Sequence, residues 1–480
     1  MAKKFYVTTP VYYINDAPSI GSAYPTIVAD ILARWHRLKE EKIFFLTGTD
    51  ENSIKTVNAA KKLGFKEVKN YADVMAEKWK ETWKKLGISN DGFIRTTESR
   101  HKKVLDEVFA KMHKKGDIYK GIYKGLYCEG CEAFFTEKDL LNGECPIHKV
   151  KAKEIEEENY FFKLSKYQKS ILQHIEKNKD FILPEHRRNE IINFINEGLK
   201  DISISRPNQG WGIPLPIDEK QVYWCWLDAL FNYISGSEKN WPAELHIVGK
   251  DILKFHAVYF TGFLLSAGYK LPKKIFAHGF LTINGQKMSK SLGNAIDPLY
   301  LSKKYSIDAV RYYLIRDIPF GSDGDFNEEQ LKARLNNELA ADLGNLLNRS
   351  LKLMENKEIK GEADENLTIE LDVNKIESLT EKLELHNAIE EIWGFIRKAN
   401  KYINDKEPWK LKGKELEIVL YTIVESLRII SILSSSFLPN ASESINKQIG
   451  VKQGKLKDCR FNIKKNYKIK KGEVLFKKIE

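Results

Sequence analysis

Cysteine is scarce and unevenly placed. There are five in 480 residues; Cys128, Cys131 and Cys145 cluster, while Cys225 and Cys459 stand alone. An odd number so distributed argues against a disulfide framework and for a metal site in a reducing compartment. The opening stretch MAKKFYVTTPVYY has no apolar core and no small-residue cleavage site, so secretion is not expected and the cytoplasm is. A membrane span is missing too. The most apolar late stretch, Ile418 to Leu438, is interrupted by Glu425 and Arg428 and reads as a buried helix. Internal repeats and long low-complexity segments are also absent.

What is present describes a soluble globular chain. Hydrophobic residues make up 42% and charged residues 30%, and a chain of this length suggests roughly three domains with a core that needs no staples. The net charge of +12 favours a polyanionic partner. Composition alone does not separate RNA from DNA or anionic lipid, and a lysine-rich surface is also a well-solvated one.

The first third alternates strand and helix. FYVTT (Phe5–Thr9) reads as a buried strand and Asn15 to Gly21 as a turn. Ala23, Ile27, Ile31, Leu32, Trp35 and Leu38 recur at helical spacing, and IFFLTG (Ile43–Gly48) reads as a second strand. This order starts a parallel, doubly wound α/β sheet of the Rossmann-like type. A segment from about Tyr119 to Phe162 interrupts it, and strand signals return at Glu244–Gly249 and Ile275–Ile283. Beyond Asp325 the leucines 331, 335, 339, 343, 346 and 347 form a helical stripe. Further helices are expected over about Leu383–Ile403 and Glu415–Ser436, with Asn356–Asn366 as a loop, so the last third reads as an all-α bundle. The expected divisions are 1–117 and 221–325 for the two halves of the α/β domain, 118–220 for the insertion and 326–480 for the bundle.

Two motifs carry chemistry. Cys128-Glu-Gly-Cys131, thirteen residues, then Cys145-Pro-Ile-His148 is a zinc-knuckle spacing. Three thiolates and an imidazole fill a tetrahedral shell and leave no open position, so the zinc would be structural. The second motif, Asn284 to Ser291, contains KMSKS and follows a strand signal. Lys287 and Lys290, three apart on a Gly-containing loop, suit a closing clamp on polyphosphate charge.

KMSKS is a signature of class I aminoacyl-tRNA synthetases, and the surroundings resemble the methionyl-tRNA synthetase family throughout. FYVTTPVYYINDAPSIG, LTGTDE (Leu46–Glu51), YCEGC…CPIH, WCWLDALFNY (Trp224–Tyr233), GKDILKFH (Gly249–His256), HGFLTINGQKMSKS, DLGNLLNR and KIKKGEVLFKKIE occur in the family's order. The resemblance covers essentially the whole chain. It implies activation of L-methionine with ATP to methionyl-adenylate, release of pyrophosphate, and transfer to the 3′ end of tRNA-Met. ATP is expected to bring Mg2+. Lys287 and Lys290 match the residues that hold the leaving phosphates, and Gly21, Gly249, Asp251, His278, Gly279, Phe280 and Leu281 match the ATP site. The methionine slot corresponds to Val11, Asp50, Trp226, Ala229, Tyr233, Ile252 and His256. Aromatic walls suit a polarizable thioether, and the Asp50 carboxylate suits the ammonium. Asn345, Arg349 and Trp409 match the anticodon readers. Amide and guanidinium groups read base edges there, and an aromatic face stacks a base.

The chain departs from the family at two places. The signature's two histidines are replaced by Ser19 and Ser22, whose hydroxyls are expected to serve as phosphate donors, and the family's His-Gly after GTDE is replaced by Asn52-Ser53. The serine pair motivates an alternative, a catalytically impaired synthetase-like protein that binds only tRNA or methionine. A third reading is a zinc-knuckle RNA-binding protein without activity. The family's appended C-terminal tRNA-binding module has no counterpart in the sequence, which suggests a monomer.

Overall fold

The structure, a computed structural model, describes residues 3–128, 133–135, 140–146, 149–288, 295–355, 357, 359–470 and 472–479. Its centre is a six-stranded parallel sheet in the order Gly92–Arg95, Lys42–Asp50, Lys4–Tyr13, Leu245–Gly249, Ile275–His278, Ile182–Leu183. The strand segments at its middle are continuous apolar runs because both faces are covered; Tyr6, Val7, Phe45 and Leu46 are all fully buried. The first strand is longer than the expected Phe5–Thr9. Its register against the second strand shifts between Thr8 and Val11. Pro10 lies in that interval and has no N–H to give the ladder. The shifted end carries Val11 opposite Gly48 and Tyr13 opposite Asp50.

The helix Ile20–Leu38 starts where the helical periodicity begins and is buried on nearly every side. One flank meets the sheet. Another meets the helix Ile307–Asp317, through Asp30 with Arg311 at 2.8 Å, while Lys39 just beyond the helix end reaches Glu377 of the helical last third at 2.8 Å.

The interrupting segment is an antiparallel sheet. Ile118–Cys128 pairs with Lys153–Phe162 from Ile118 opposite Phe162 to Tyr127 opposite Lys153, flanked by Ala133–Phe135 and Ile202–Ser203. Two expectations differ from the structure here. Ile182–Leu183 lies within the stretch assigned to the insertion, yet it is the edge strand of the parallel sheet. Ile275–Ile283 is not one strand but two, Ile275–His278 in the parallel sheet and Leu281–Ile283 in a separate small sheet. The break falls at Gly279, where a Cβ would sit 2.2 Å from the carbonyl oxygen of Ser322. Only glycine lets these two backbones touch.

The last third is helical. The leucine stripe spans Glu328–Arg334, a π-helical segment Leu335–Gly344 and Asn345–Met354. A four-residue repeat would drift around an α-helix, and the wider π turns keep Leu335, Leu339 and Leu343 on the buried face. The two long helices are Leu385–Lys406 and Gly413–Ser434. Val373–Glu381 and Pro439–Ile449 are helices that periodicity did not single out. In the tail, Tyr467 forms one isolated bridge with Ile359. The two charges inside the apolar helix satisfy each other. Arg428 donates to both Glu425 oxygens at 2.7 and 3.0 Å and to the carbonyls of Asp458 and Arg460. Among the described residues no helix is long and apolar enough to cross a membrane.

Candidate active site

A cleft of about 330 Å³ opens at the carboxyl ends of the parallel strands, where such sheets bind ligands. Every methionine-slot candidate lines it: Val11 and Asp50 from neighbouring strand ends, Trp226, Ala229 and Tyr233 from two short helices, and Ile252 and His256 after the strand Leu245–Gly249. The nucleotide candidates Gly249, Asp251, His278, Gly279, Phe280 and Leu281 line the same cleft, as do Ser19, Gly21 and Ser22. Two elements are only partly described. The side chain of Lys287 and the whole of Lys290 lie outside the described residues, although Met288, one residue on, reaches the cleft.

The apolar end has a defined wall. Trp226 stacks face to face on Phe255, with ring centroids 3.9 Å apart and an interplanar angle of 1°. Tyr233 donates its hydroxyl to Nε2 of His256 at 2.7 Å, and His256 Nδ1 lies 2.9 Å from the carbonyl oxygen of Ile252. The second contact requires an N–H on Nδ1, so Nε2 is the acceptor. Burial drives the His256 pKa down to about 4, against the opposing pull of the Ile252 carbonyl, so the ring is neutral near pH 7. Behind the wall, Tyr6 donates to the Tyr233 carbonyl at 2.6 Å.

Where the nucleotide candidates line the cleft the chain passes close to itself. A Cβ at Gly249 would lie 2.6 Å from an Asp251 carboxylate oxygen. Lys250 pairs with Asp323 at 2.6 Å, and Asp323 also accepts the Phe280 N–H at 2.8 Å. His278 is buried, which lowers its pKa, and its Nδ1 lies 2.7 Å from the Gly279 carbonyl oxygen.

The Ser19–Ser22 turn caps the helix Ile20–Leu38. Ser22 Oγ accepts the Ser19 N–H at 3.0 Å and donates to the Ser19 carbonyl at 2.8 Å. The Ser22 hydroxyl hydrogen is therefore used inside the turn, which differs from the expectation that it faces phosphate. The turn instead brings the positive end of the helix, with Gly21, to the cleft.

A family model described as tRNA synthetases class I (M) matches residues 5–156 and 137–351, and one described as the anticodon binding domain of methionyl tRNA ligase matches 354–480. The chain belongs to the methionyl-tRNA synthetase family. The methionine–tRNA ligase of Thermotoga maritima is 46% identical over 509 residues, covering 99% of this chain and 80% of the relative. That of Streptomyces coelicolor is 39% identical, covering 100% and 97%. A structure of Mycobacterium tuberculosis methionyl-tRNA synthetase in complex with methionyl-adenylate has a TM-score of 0.94 at 36% identity, with 99% of each chain covered. The apo form of that enzyme has a TM-score of 0.87 at 33% identity.

The anticodon candidates Asn345, Arg349 and Trp409 do not line the cleft. Asn345 is exposed at the start of its helix, and Arg349 donates to Asn404 Oδ1 at 2.7 Å. Asn404 is near the end of Leu385–Lys406, and Trp409, 56% exposed, follows that end. In the insertion, Cys128 ends its strand and is buried, as is Cys145, while Cys131 and His148 lie outside the described residues. Among the described residues no group of three potential ligands could hold a metal. Tyr12, Tyr24, Asn232 and Met288 also line the cleft and are not among the site residues expected from the sequence. The signal available for Tyr12 was its place in PVYY, one residue from Val11.

Proposed function

We propose that this chain is a methionine–tRNA ligase. A methionine carboxylate oxygen attacks the α-phosphorus of ATP, the bond to the bridging oxygen breaks, and pyrophosphate leaves. A ribose hydroxyl at the 3′ end of tRNA-Met then attacks the methionyl carbonyl and AMP leaves. The observation that carries this reading is the single cleft that joins an aromatic slot ending in Asp50 to a nucleotide bed at the strand ends. In-line attack needs this adjacency, since positioning supplies most of the rate.

In this reading Asp50 accepts the substrate ammonium, while Trp226, Ala229, Tyr233, Ile252, His256 and Val11 enclose the thioether. The neutral His256 ring supports the last role, because a charged ring would be mismatched to an apolar side chain. Gly249 and Asp251 meet the ribose, and His278 to Leu281 run along the adenine. Lys287 and Lys290 neutralise the leaving pyrophosphate, and magnesium enters with ATP as part of that substrate. Gly21 and the helix end behind it face the phosphates, with Ser19 as a donor and the Ser22 hydroxyl closing the turn. Asn345, Arg349 and Trp409 read the anticodon. The divisions at 117, 220 and 325 mark the halves of the catalytic domain, the insertion and the bundle, apart from the edge strand noted above.

The buried thiols Cys128 and Cys145 support one structural zinc, with Cys131 and His148 completing the shell. Thiolate and imidazole donors suit zinc, and bound metal would tie the end of Ile118–Cys128 to the turn at Cys145. A cysteine pattern of this kind also fits the cytoplasm. The impaired reading finds no support: the relatives compared carry the ligase name, and the helix end still reaches the cleft.

Methionine-dependent exchange of labelled pyrophosphate into ATP tests the activity. It is expected with methionine, and its absence in folded protein with the zinc bound would overturn the reading.

A further inference from the structure

Trp226, Ala229 and Tyr233 all lie on two very short helices, Cys225–Leu230 and Asn232–Ser235. Helices of this length have little stability of their own, so their place depends on what holds them. The anchor is a run of side chains outside the slot. Asp228, 1% exposed, accepts from His101 Nε2 at 2.6 Å through one oxygen and from Asn52 Nδ2 at 2.8 Å through the other. His101 is fully buried on the helix Ser99–Lys114, and its Nδ1 lies 2.6 Å from Ser235 Oγ. One imidazole thus grips both short helices. Asn52 also donates to the Thr96 carbonyl at 3.1 Å and follows Asp50 by two residues.

We propose that Asn52, Asp228, His101 and Ser235 form the positioning unit of the methionine slot. The unit ties the aromatic wall of the slot to the strand end that carries Asp50. This rests on the ligase reading and deepens it.

Two physical points carry the inference. A buried carboxylate with both oxygens accepting has a narrow choice of conformations, because any shift leaves an oxygen without a donor. The groups so held all serve the methionine end, whereas the nucleotide bed comes from Gly249–Asp251, His278–Leu281 and the Ser19–Ser22 turn. Loss of the unit therefore acts on methionine and spares ATP. Asn52 is the informative member, since it stands where the family resemblance places a histidine. Its amide supplies a donor to Asp228 without adding a charge.

The test is pyrophosphate exchange by this chain of 480 residues, with methionine and ATP varied separately. Asn52→Ala should raise the methionine KM about five- to a hundredfold, the cost of a buried acceptor left without its donor. The ATP KM and kcat should stay within about twofold. Asn52→His, which restores an N–H donor, should bring the methionine KM back to within about threefold of the parent. An unchanged methionine KM in Asn52→Ala overturns the inference. So do parallel losses in both KM values with a lowered melting temperature, which signify general damage, and so does an Asn52→His variant as impaired as the alanine. A parent chain without exchange would instead overturn the ligase reading itself.

Discussion

Arg311 and Asp30 face each other at 2.8 Å with neither side chain exposed to solvent. The same guanidinium donates from Nε to the Phe437 carbonyl at 2.8 Å and from Nη2 to the Ser436 carbonyl at 2.9 Å. One buried residue thus joins the helix behind the Ser19–Ser22 turn to the helical bundle. Burial pushes the Asp30 carboxyl upward, but Arg311 and Arg34 outweigh it and hold its pKa below the ordinary value. The stability this pair contributes is present above the unfolded carboxylate value and is lost as pH falls through the folded one.

Arg311→Met removes one partner and leaves the Asp30 charge buried. The expected cost is about 3–5 kcal/mol, the low end applying because Arg34 remains 2.7 Å from Asp30. Urea unfolding at pH 7 measures it. A loss under about 1 kcal/mol would show that the pair adds nothing beyond packing.

Asp308 has the opposite sign. It is buried, accepts the Ala441 N–H at 2.7 Å, and its Oδ1 has no hydrogen-bond partner among the described residues. Burial raises its pKa to about 6, above the unfolded value near 3.9. Between these values the folded state binds more protons, so this group lowers stability as pH rises from about 4 to 6. Asp308→Asn keeps an acceptor for Ala441 and removes the titration. Relative to the parent, the variant should gain about 2–3 kcal/mol between pH 4 and pH 7. Parallel stability curves across that range would refute the assignment.

The neutral His256 ring has a testable consequence in the slot. With a folded pKa of about 4 and an unfolded value near 6.5, the unfolded state binds more protons between them. Stability from this group is thus lost as pH falls through that window. In the folded enzyme the methionine KM should show no titration from this ring between about pH 5.5 and 8. Tyr233→Phe removes the hydroxyl donor to Nε2 and should raise the methionine KM about fivefold or more at unchanged ATP KM. A methionine KM that titrates near pH 6.5 in the parent and not in a His256→Asn variant would contradict the neutral ring.

Charging of tRNA should depend on Arg349 and Trp409, and tRNA-free adenylate formation should not. Trp409→Ala is expected to cost about 1–3 kcal/mol in tRNA recognition through lost base stacking. Comparing kcat/KM for tRNA with the pyrophosphate-exchange rate separates the two effects. An equal loss in both would show that the bundle acts on the cleft and not on the anticodon.

Purified protein should carry about one zinc per chain, with tetrahedral sulfur and nitrogen ligation visible by X-ray absorption. Cys131→Ala should lower the metal content and expose the Cys128 and Cys145 thiols to modification. Metal-free native protein whose buried thiols still resist modification would remove the zinc site.

Much of the lining of the candidate site was legible because its signals are local. The strings around Val11, Trp226, Gly249 and His278 each hold a few residues in fixed chain order, and each string supplies one wall of the cleft. The strand–helix–strand opening was legible because apolar periodicity reports directly on burial. The Ser22 hydroxyl was not, since its use depends on the geometry of the turn, which closes it onto the Ser19 carbonyl. Helix Pro439–Ile449 was missed because its sequence, PNASESINKQI, buries small polar residues such as Ser442 and Asn446 that periodicity counts as exposed.

By itself the sequence determined the family, the order of the parallel strands' motifs and the helical last third, since these rest on residue types within a few positions of one another. Only the tertiary structure decided that Ile275–Ile283 divides between two sheets and that Ile182–Leu183 completes the parallel one. It also decided what holds Asp228, whose two donors lie 127 and 176 residues away in the chain, and what joins Asp30 to Ser436 through Arg311. The reason is physical: hydrogen bonds between buried groups are satisfied by whatever packing brings near, and packing between distant segments leaves no periodicity in the sequence of either.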